Sequence, residues 1–156
     1  MVSSKTYQRL LIEQLDRRMK KLALIEPSDI PPRGWIHSIR TALKMSMRQL
    51  GERMGKSIPT VNDLERAEAS GVITLKSLRE AARALNMKFI YGFVPQDGSL
   101  EKMIEERAFM LARDIVMRTS QNMKLEDQEN ASERIEKSIQ ARADELKKEM
   151  PKFLWD

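Results

Sequence analysis

Residues 46–65 read SMRQLGERMGKSIPTVNDLE, two short amphipathic segments separated by Gly55. Ser46 is placed to cap the first helix and Ser57 the second, because a hydroxyl at that position accepts a hydrogen bond from a backbone N–H with no partner in its own helix. Pro59 falls in the first turn of the second helix, where its missing N–H removes no helical bond. Leu50, Met54, Val61 and Leu64 supply the apolar inner surface, Gly51 allows the helices to approach closely and Gly55 fits the turn. The spacing predicts a pair of crossed helices joined by a tight turn.

The pattern continues on both sides. Trp35 to Lys44, WIHSIRTALK, reads as a preceding helix with Trp35, Ile36, Ile39 and Leu43 on its apolar face. Thr74 to Leu85, TLKSLREAARAL, reads as a later helix capped by Thr74 and packed through Leu75, Leu78, Ala82 and Leu85. Out to about residue 85 the chain resembles the DNA-binding unit of the phage repressor and Xre-type helix-turn-helix family. The resemblance implies that the second helix of residues 46–65 enters the major groove. It also implies a structural ion pair between Arg40 and Glu65, which stand where the family often pairs an arginine with a glutamate.

Carried over position by position, the resemblance puts Ile58, Pro59, Asn62 and Asp63 against base edges. Asn62 suits adenine, Asp63 the amino group of cytosine, and Ile58 a thymine methyl; Ile58 and Pro59 equally suit apolar contact with the sugar edge, leaving specificity to Asn62 and DNA shape. Candidate phosphate contacts are Arg48, Gln49, Lys56, Ser57, Thr60, Thr74 and Lys76. Met47 departs from the family, which commonly has a phosphate-binding glutamine there. A dimer would read two half-sites about 34 Å apart on double-stranded, palindromic operator DNA.

Composition narrows the remaining classes. The chain has 156 residues, six glycines, six prolines and no cysteine, which excludes disulfides and thiolate metal sites and fits a reducing, cytoplasmic setting. No apolar run approaches the roughly 20 residues needed to span a bilayer. Net charge is +5, with 17 Lys/Arg against 9 Asp/Glu in residues 1–95 and 11 against 14 in residues 96–156. The first part suits phosphate contact and the second suits a protein partner; solvated helix faces are the plainer account of both. With His37 as the only histidine, no phosphate-cradling glycine loop and no nucleophile beside a base, the chain reads as no enzyme and calls for no cofactor and no metal. His37 reads as a surface or phosphate-adjacent residue.

Three regions follow from these patterns. Residues 1–32 form an amphipathic basic helix, with Leu11, Leu15, Met19 and Leu22 at helical spacing, and a proline-rich connector. That helix is expected to dock on the chain's own DNA-binding core or on a second subunit in preference to a membrane surface. Residues 33–95 form the DNA-binding domain, ending in MKFIYGFVP at Met87 to Pro95, which reads as the one β-strand. A solitary strand pairs most simply with its copy across a two-fold axis, making Phe89, Ile90, Tyr91, Phe93 and Val94 dimerisation residues; the alternative is an extended connector on the monomer core. Residues 96–156 form a helical dimerisation or partner-binding region, with apolar stripes at Leu100, Met103, Ile104, Met110, Leu111, Ile115 and Met117 and at Ile135, Ile139, Ala143, Leu146 and Met150. Its methionines suit a core or a pliable interface better than metal ligation. Phe153 and Trp155 near the end read either as interface anchors or as groups packed back on the helices.

A closer resemblance covers most of the chain. PPRGWIHSIRTALKMSMRQLGERMG, GVITLKSLREAARALNMKFIYGFVP, MKLEDQ at Met123 to Gln128 and LWD at Leu154 to Asp156 together look like the family called mobile mystery protein A. That family is associated with a neighbouring Fic-domain protein, so the resemblance implies an antitoxin or regulator paired with a Fic toxin. The stretch Ser132 to Lys137, SERIEK, comes close to the inhibitory helix of some Fic antitoxins, with Glu136 in the glutamate place and Lys137 breaking the pattern. Partner contact through Glu136, Phe153, Leu154 and Trp155 is the corresponding expectation. The fold class is mainly α: a five-helix-type lambda-repressor-like helix-turn-helix domain, one intermolecularly pairing β-strand, and helical extensions at both ends. The expected function is a homodimeric, autorepressing, sequence-specific transcriptional regulator and antitoxin of a Fic-type toxin–antitoxin pair. The alternative is a protein-interaction module that neutralises a partner and binds DNA only non-specifically.

Overall fold

Hydroxyl caps fix the starts of three consecutive helices. Ser46 Oγ accepts from Gln49 N at 3.1 Å, Ser57 Oγ from Thr60 N at 3.3 Å, and Thr74 Oγ1 from Ser77 N at 3.1 Å. At Ser46 the cap is reciprocal, since Gln49 Oε1 accepts from Ser46 N at 2.8 Å. In this computed structural model, which describes residues 3–120 and 128–156, seven α-helices are present among the described residues. They are α1 Ser4–Leu22, α2 Trp35–Ala42, α3 Met47–Met54, α4 Ile58–Ser70, α5 Leu75–Ala84, α6 Leu100–Ser120 and α7 Gln128–Glu149. Short 3-10 turns occupy Pro27–Asp29 and Lys152–Trp155. No described helix is long and apolar enough to cross a membrane. Residues 123–127 of the MKLEDQ segment lie outside the described residues.

The chain divides into two compact units, one of residues 24–92 and one formed by residues 1–23 together with 93–156. In the first, α2 to α5 enclose Ile36, Leu50, Val61, Ala81 and Leu85. Four α-helices thus stand in residues 33–95, where a five-helix type was expected. Gly55 ends α3 in the left-handed conformation at φ 65°, which a glycine adopts without steric cost. Gly51 has a different reason to be glycine: a Cβ there would stand 2.5 Å from the backbone oxygen of Lys56. Gly51→Ala should therefore lower stability by about 1–3 kcal/mol, the range for overpacking, read as a shift in the urea midpoint.

Trp35 and Leu43, expected on the apolar face of α2, are instead 48% and 55% exposed; Ile36 and Ile39 make the buried contact. An eight-residue helix presents a narrow stripe to its neighbours, and positions at both its margins remain in water.

The expected β-strand is absent from the described residues: Met87 to Pro95 runs without regular secondary structure. Strand propensity describes residues that suit a pleated, half-buried surface, and no other segment among the described residues pairs with this one. Instead Phe89 and Tyr91 stack at 6.0 Å between ring centroids, with the Arg79 guanidinium 6.0 and 5.8 Å from the two rings.

In the second unit, α6 and α7 pack side by side around Ile104, Ala108, Ala112, Ile139, Ala143, Leu146 and Leu154. Alanines at the contact let the two helices come close. The N-terminal helix α1 belongs here: Ile12 packs against this cluster. Asp16 caps α6 from outside, its Oδ1 accepting from Leu100 N at 2.8 Å and its Oδ2 from Glu101 N at 3.4 Å. A carboxylate at a helix N-terminus also meets the positive end of the helix dipole. Lys147 bridges from α7 to Glu105 and Glu101 of α6, and its pKa is raised, first by the hydrogen bond to Glu105.

Candidate nucleic-acid interface

The outer face of α4 is held in place by its inner one. Glu65 is only 6% exposed, and a carboxylate that deeply buried needs partners. Arg40 supplies them, donating from Nε to Glu65 Oε1 at 2.5 Å and from Nη2 to Oε2 at 3.1 Å. The same guanidinium donates from Nη1 to the Met45 carbonyl at 2.9 Å, tying α2 to the segment that enters α3. His37 Nδ1 lies 2.9 Å from Glu65 Oε2, so the sole histidine joins the cluster instead of standing at the surface. Burial pushes the Glu65 carboxyl up, but the hydrogen bonds from Arg40 and His37 and their charges outweigh it, leaving the group below its ordinary value. The Arg40 guanidinium is correspondingly raised by its bond to Glu65.

One turn further along α4, Glu68 does what no local residue does for α2. Gly34 precedes α2 and has no side chain to cap it; Glu68 Oε1 accepts from Trp35 N at 2.5 Å and Oε2 from Ile36 N at 3.0 Å. Glu68 was not among the residues expected from the sequence. The available signal was the three-residue offset from Glu65, which puts both carboxylates on one face of α4, together with the lack of a capping residue before Trp35. Gly34, at φ 84°, is the matching vacancy: a Cβ there would stand 2.6 Å from Glu68 Cδ.

With its inner face engaged, α4 turns Ile58, Pro59 and Asp63 outward, and Asn62 is half-buried at the edge of the same face. Arg66, exposed and four residues beyond Asn62, extends that face and was not anticipated. Around the helix starts, Lys56 and Lys76 are exposed. Arg48 is exposed but engaged, donating to Glu52 Oε1 at 2.7 Å. Gln49 spends its amide oxygen on the cap and keeps its Nε2 hydrogens for an outside acceptor. Ser57 Oγ and Thr60 Oγ1 lie 2.8 Å apart at the start of α4, and Thr74 Oγ1 donates to Ser77 Oγ at 3.0 Å at the start of α5. Charge follows the units less sharply than the halves of the sequence: residues 24–92 hold 11 Lys/Arg against 7 Asp/Glu, because six basic residues of α1 belong to the other unit.

The helix-turn-helix family model matches residues 36–91. Residues 36–91 are a helix-turn-helix domain. Within this helix-turn-helix domain α3 and α4 are the motif pair, with α2 and α5 packed around them. Domains of this family are DNA-binding regulatory modules, typically without enzymatic activity. No curated protein and no solved structure matches the chain significantly.

The other expected contact residues fall in different settings. Next to the helix-turn-helix domain's last helix, Phe89 is half-buried, while Ile90, Tyr91, Phe93 and Val94 are exposed. Glu136 is exposed on α7, and Phe153 and Trp155 are exposed in the closing 3-10 turn. Leu154, expected beside them as a partner contact, is fully buried and belongs to the core of α6 and α7. Arg107 holds this turn down, donating from Nε to the Leu154 carbonyl at 2.5 Å and from Nη2 to the Asp156 carbonyl.

Proposed function

We propose that the protein is a dimeric, sequence-specific transcriptional regulator that reads operator DNA through the N-terminal half of α4 and represses its own operon. The observation that carries this reading is the clamp on α4. Glu65 and Glu68 fix the helix from behind, so that Ile58, Pro59, Asn62 and Asp63 present a rigid edge of the size a major groove admits. Asn62 and Asp63 read bases, while Lys56, Ser57, Thr60, Thr74, Lys76 and the amide of Gln49 hold phosphates. Ile90 and Phe93, each exposed, are apolar side chains available to a second copy of the chain. The resemblance of the longer segments to mobile mystery protein A supports a further element: the regulator is the antitoxin of a Fic-domain partner, met through Glu136, Phe153 and Trp155. Co-purification with the neighbouring Fic-domain protein tests that pairing.

The DNA-binding reading is tested by fluorescence anisotropy on the chain's own upstream DNA against a scrambled duplex, at several salt concentrations. A preference of about 10³-fold or more is expected, the lower end of specific recognition. Asn62→Ala should relax preference at one base pair by about 1–3 kcal/mol. Lys56→Ala should weaken binding to every sequence and reduce the salt slope by about one. Equal and steeply salt-dependent binding to both duplexes would transfer the weight to a protein-interaction module with non-specific DNA affinity.

A further inference from the structure

The second unit leaves a row of methionine side chains on α6 exposed. Met103, Met110 and Met117 recur at intervals of seven and are 40%, 58% and 42% exposed, while Ile104, Ala108 and Ala112 are buried in the contact with α7. Seven residues bring a helix back to within about 20° of its starting direction, so the three methionines form a nearly straight row about 21 Å long. Glu106 and Arg113 are also exposed and lie within the same arc of roughly 80°, one in each gap of the row.

We propose that α6 pairs antiparallel with α6 of a second copy of this chain, around a two-fold axis at Met110. In that arrangement Met103 of each copy faces Met117 of the other, Met110 faces itself, and Glu106 meets Arg113 on both sides of the axis. The charge order selects this pairing. A parallel pair would set Glu106 against Glu106 and Arg113 against Arg113, whereas the antiparallel pair joins opposite charges twice by symmetry. The Glu106–Arg113 register differs from the methionine register by one residue, a rise of about 1.5 Å that two long side chains easily span. Glu106 gives up little to do so, since its present contact is an exposed pair with Lys102 at 3.6 Å. Methionine suits the seam because its unbranched side chain adapts to a partner surface. This pairing rests on the reading of the protein as a dimer and names a helix that joins the two copies.

The chain has no cysteine, so introduced thiols report this contact without background. Single variants Met103→Cys, Met110→Cys and Met117→Cys, each at an exposed position, are treated with a short bis-maleimide in the absence of DNA. Met110→Cys should crosslink to itself; Met103→Cys and Met117→Cys should each fail alone and crosslink when mixed. Self-crosslinking of Met103→Cys as strong as that of the mixture would mean a parallel pair and overturn the proposal. So would no crosslinking in the mixture. In sedimentation equilibrium, Met110→Glu should weaken the dimer about tenfold or more, and an unchanged dimer overturns the proposal as well. Neither experiment contains DNA, so its failure leaves the operator-binding reading standing.

Discussion

Glu65→Ala is expected to cost the helix-turn-helix domain about 3–5 kcal/mol, the usual penalty for removing one partner of a buried ion pair. Arg40 would keep its bond to the Met45 carbonyl but lose both carboxylate contacts, and His37 would lose its acceptor. Because domains typically have 5–15 kcal/mol in hand, a loss of this size removes much of the stability. The measurement is urea unfolding followed by fluorescence of Trp35, with Trp155 replaced by phenylalanine so that each unit has its own reporter. Glu65→Gln separates shape from charge, keeping one acceptor and most of the volume, and should cost less. A shift below 1 kcal/mol for Glu65→Ala would show that the cluster contributes little.

The same cluster sets an acid limit. The Glu65 carboxyl is held below its ordinary value in the folded protein, where hydrogen bonds and charges from Arg40 and His37 exceed the cost of burial. The folded state therefore binds its proton less readily than the unfolded chain, whose glutamates titrate near 4.3. The stability this confers is fully present well above that value and is lost as pH falls through the depressed folded value. The advantage of the native chain over Glu65→Gln should accordingly shrink on acidification below about pH 4.3. An advantage that stays constant down to pH 3 would assign the effect to packing.

Leu154→Ala is expected to cost the other unit about 2–5 kcal/mol, the range for emptying a fully buried leucine site. Leu154 is the last apolar side chain of the α6–α7 cluster, and Arg107 fixes its backbone, so the surroundings have little freedom to collapse into the cavity. Phe153→Ala, one residue away and exposed, should stay within about 0.5 kcal/mol. Trp155 fluorescence in a Trp35→Phe background reads both. Operator binding at low temperature should survive Leu154→Ala, since the helix-turn-helix domain carries its own core. A Phe153 effect as large as that of Leu154 would mean that the whole turn, and not one buried side chain, carries the stability.

What the sequence made legible was the part of the fold written in local signals. Ser46, Ser57 and Thr74 each occupy the position where a helix must borrow an acceptor, and Gly55 stands where the chain must turn left-handed; three or four residues are enough to state those constraints. The candidate base-reading face follows from the start of α4 in the same way. The parts that escaped depend on distant partners. Glu68 caps α2 from 32 and 33 residues away, and nothing local distinguishes it from a solvated glutamate. His37 reads as a surface residue until Glu65 is brought beside it. The charge contrast between halves of the sequence weakened because α1 belongs with the C-terminal helices. The aromatic segment at Met87 to Pro95 has strand composition but no ladder among the described residues, and composition alone does not supply the partner a ladder needs.

The helix-turn-helix unit interrupts the other unit, whose first helix and remaining helices are separated by residues 23–99. As the chain is made, α1 emerges long before α6 and α7, the helices that complete its surroundings. While residues 24–92 are unstructured, bringing α1 to α6 means closing a long, flexible loop. Once they fold, the two ends of that stretch are held at a fixed separation, and each halving of the effective loop saves about 0.6 kcal/mol of closure entropy. The order of assembly is thereby biased: the inserted unit first, the enclosing one afterwards. A lesion at Glu65 would then slow maturation of the terminal helices through chain connectivity alone, and cells would see it as a delay in completing the whole molecule.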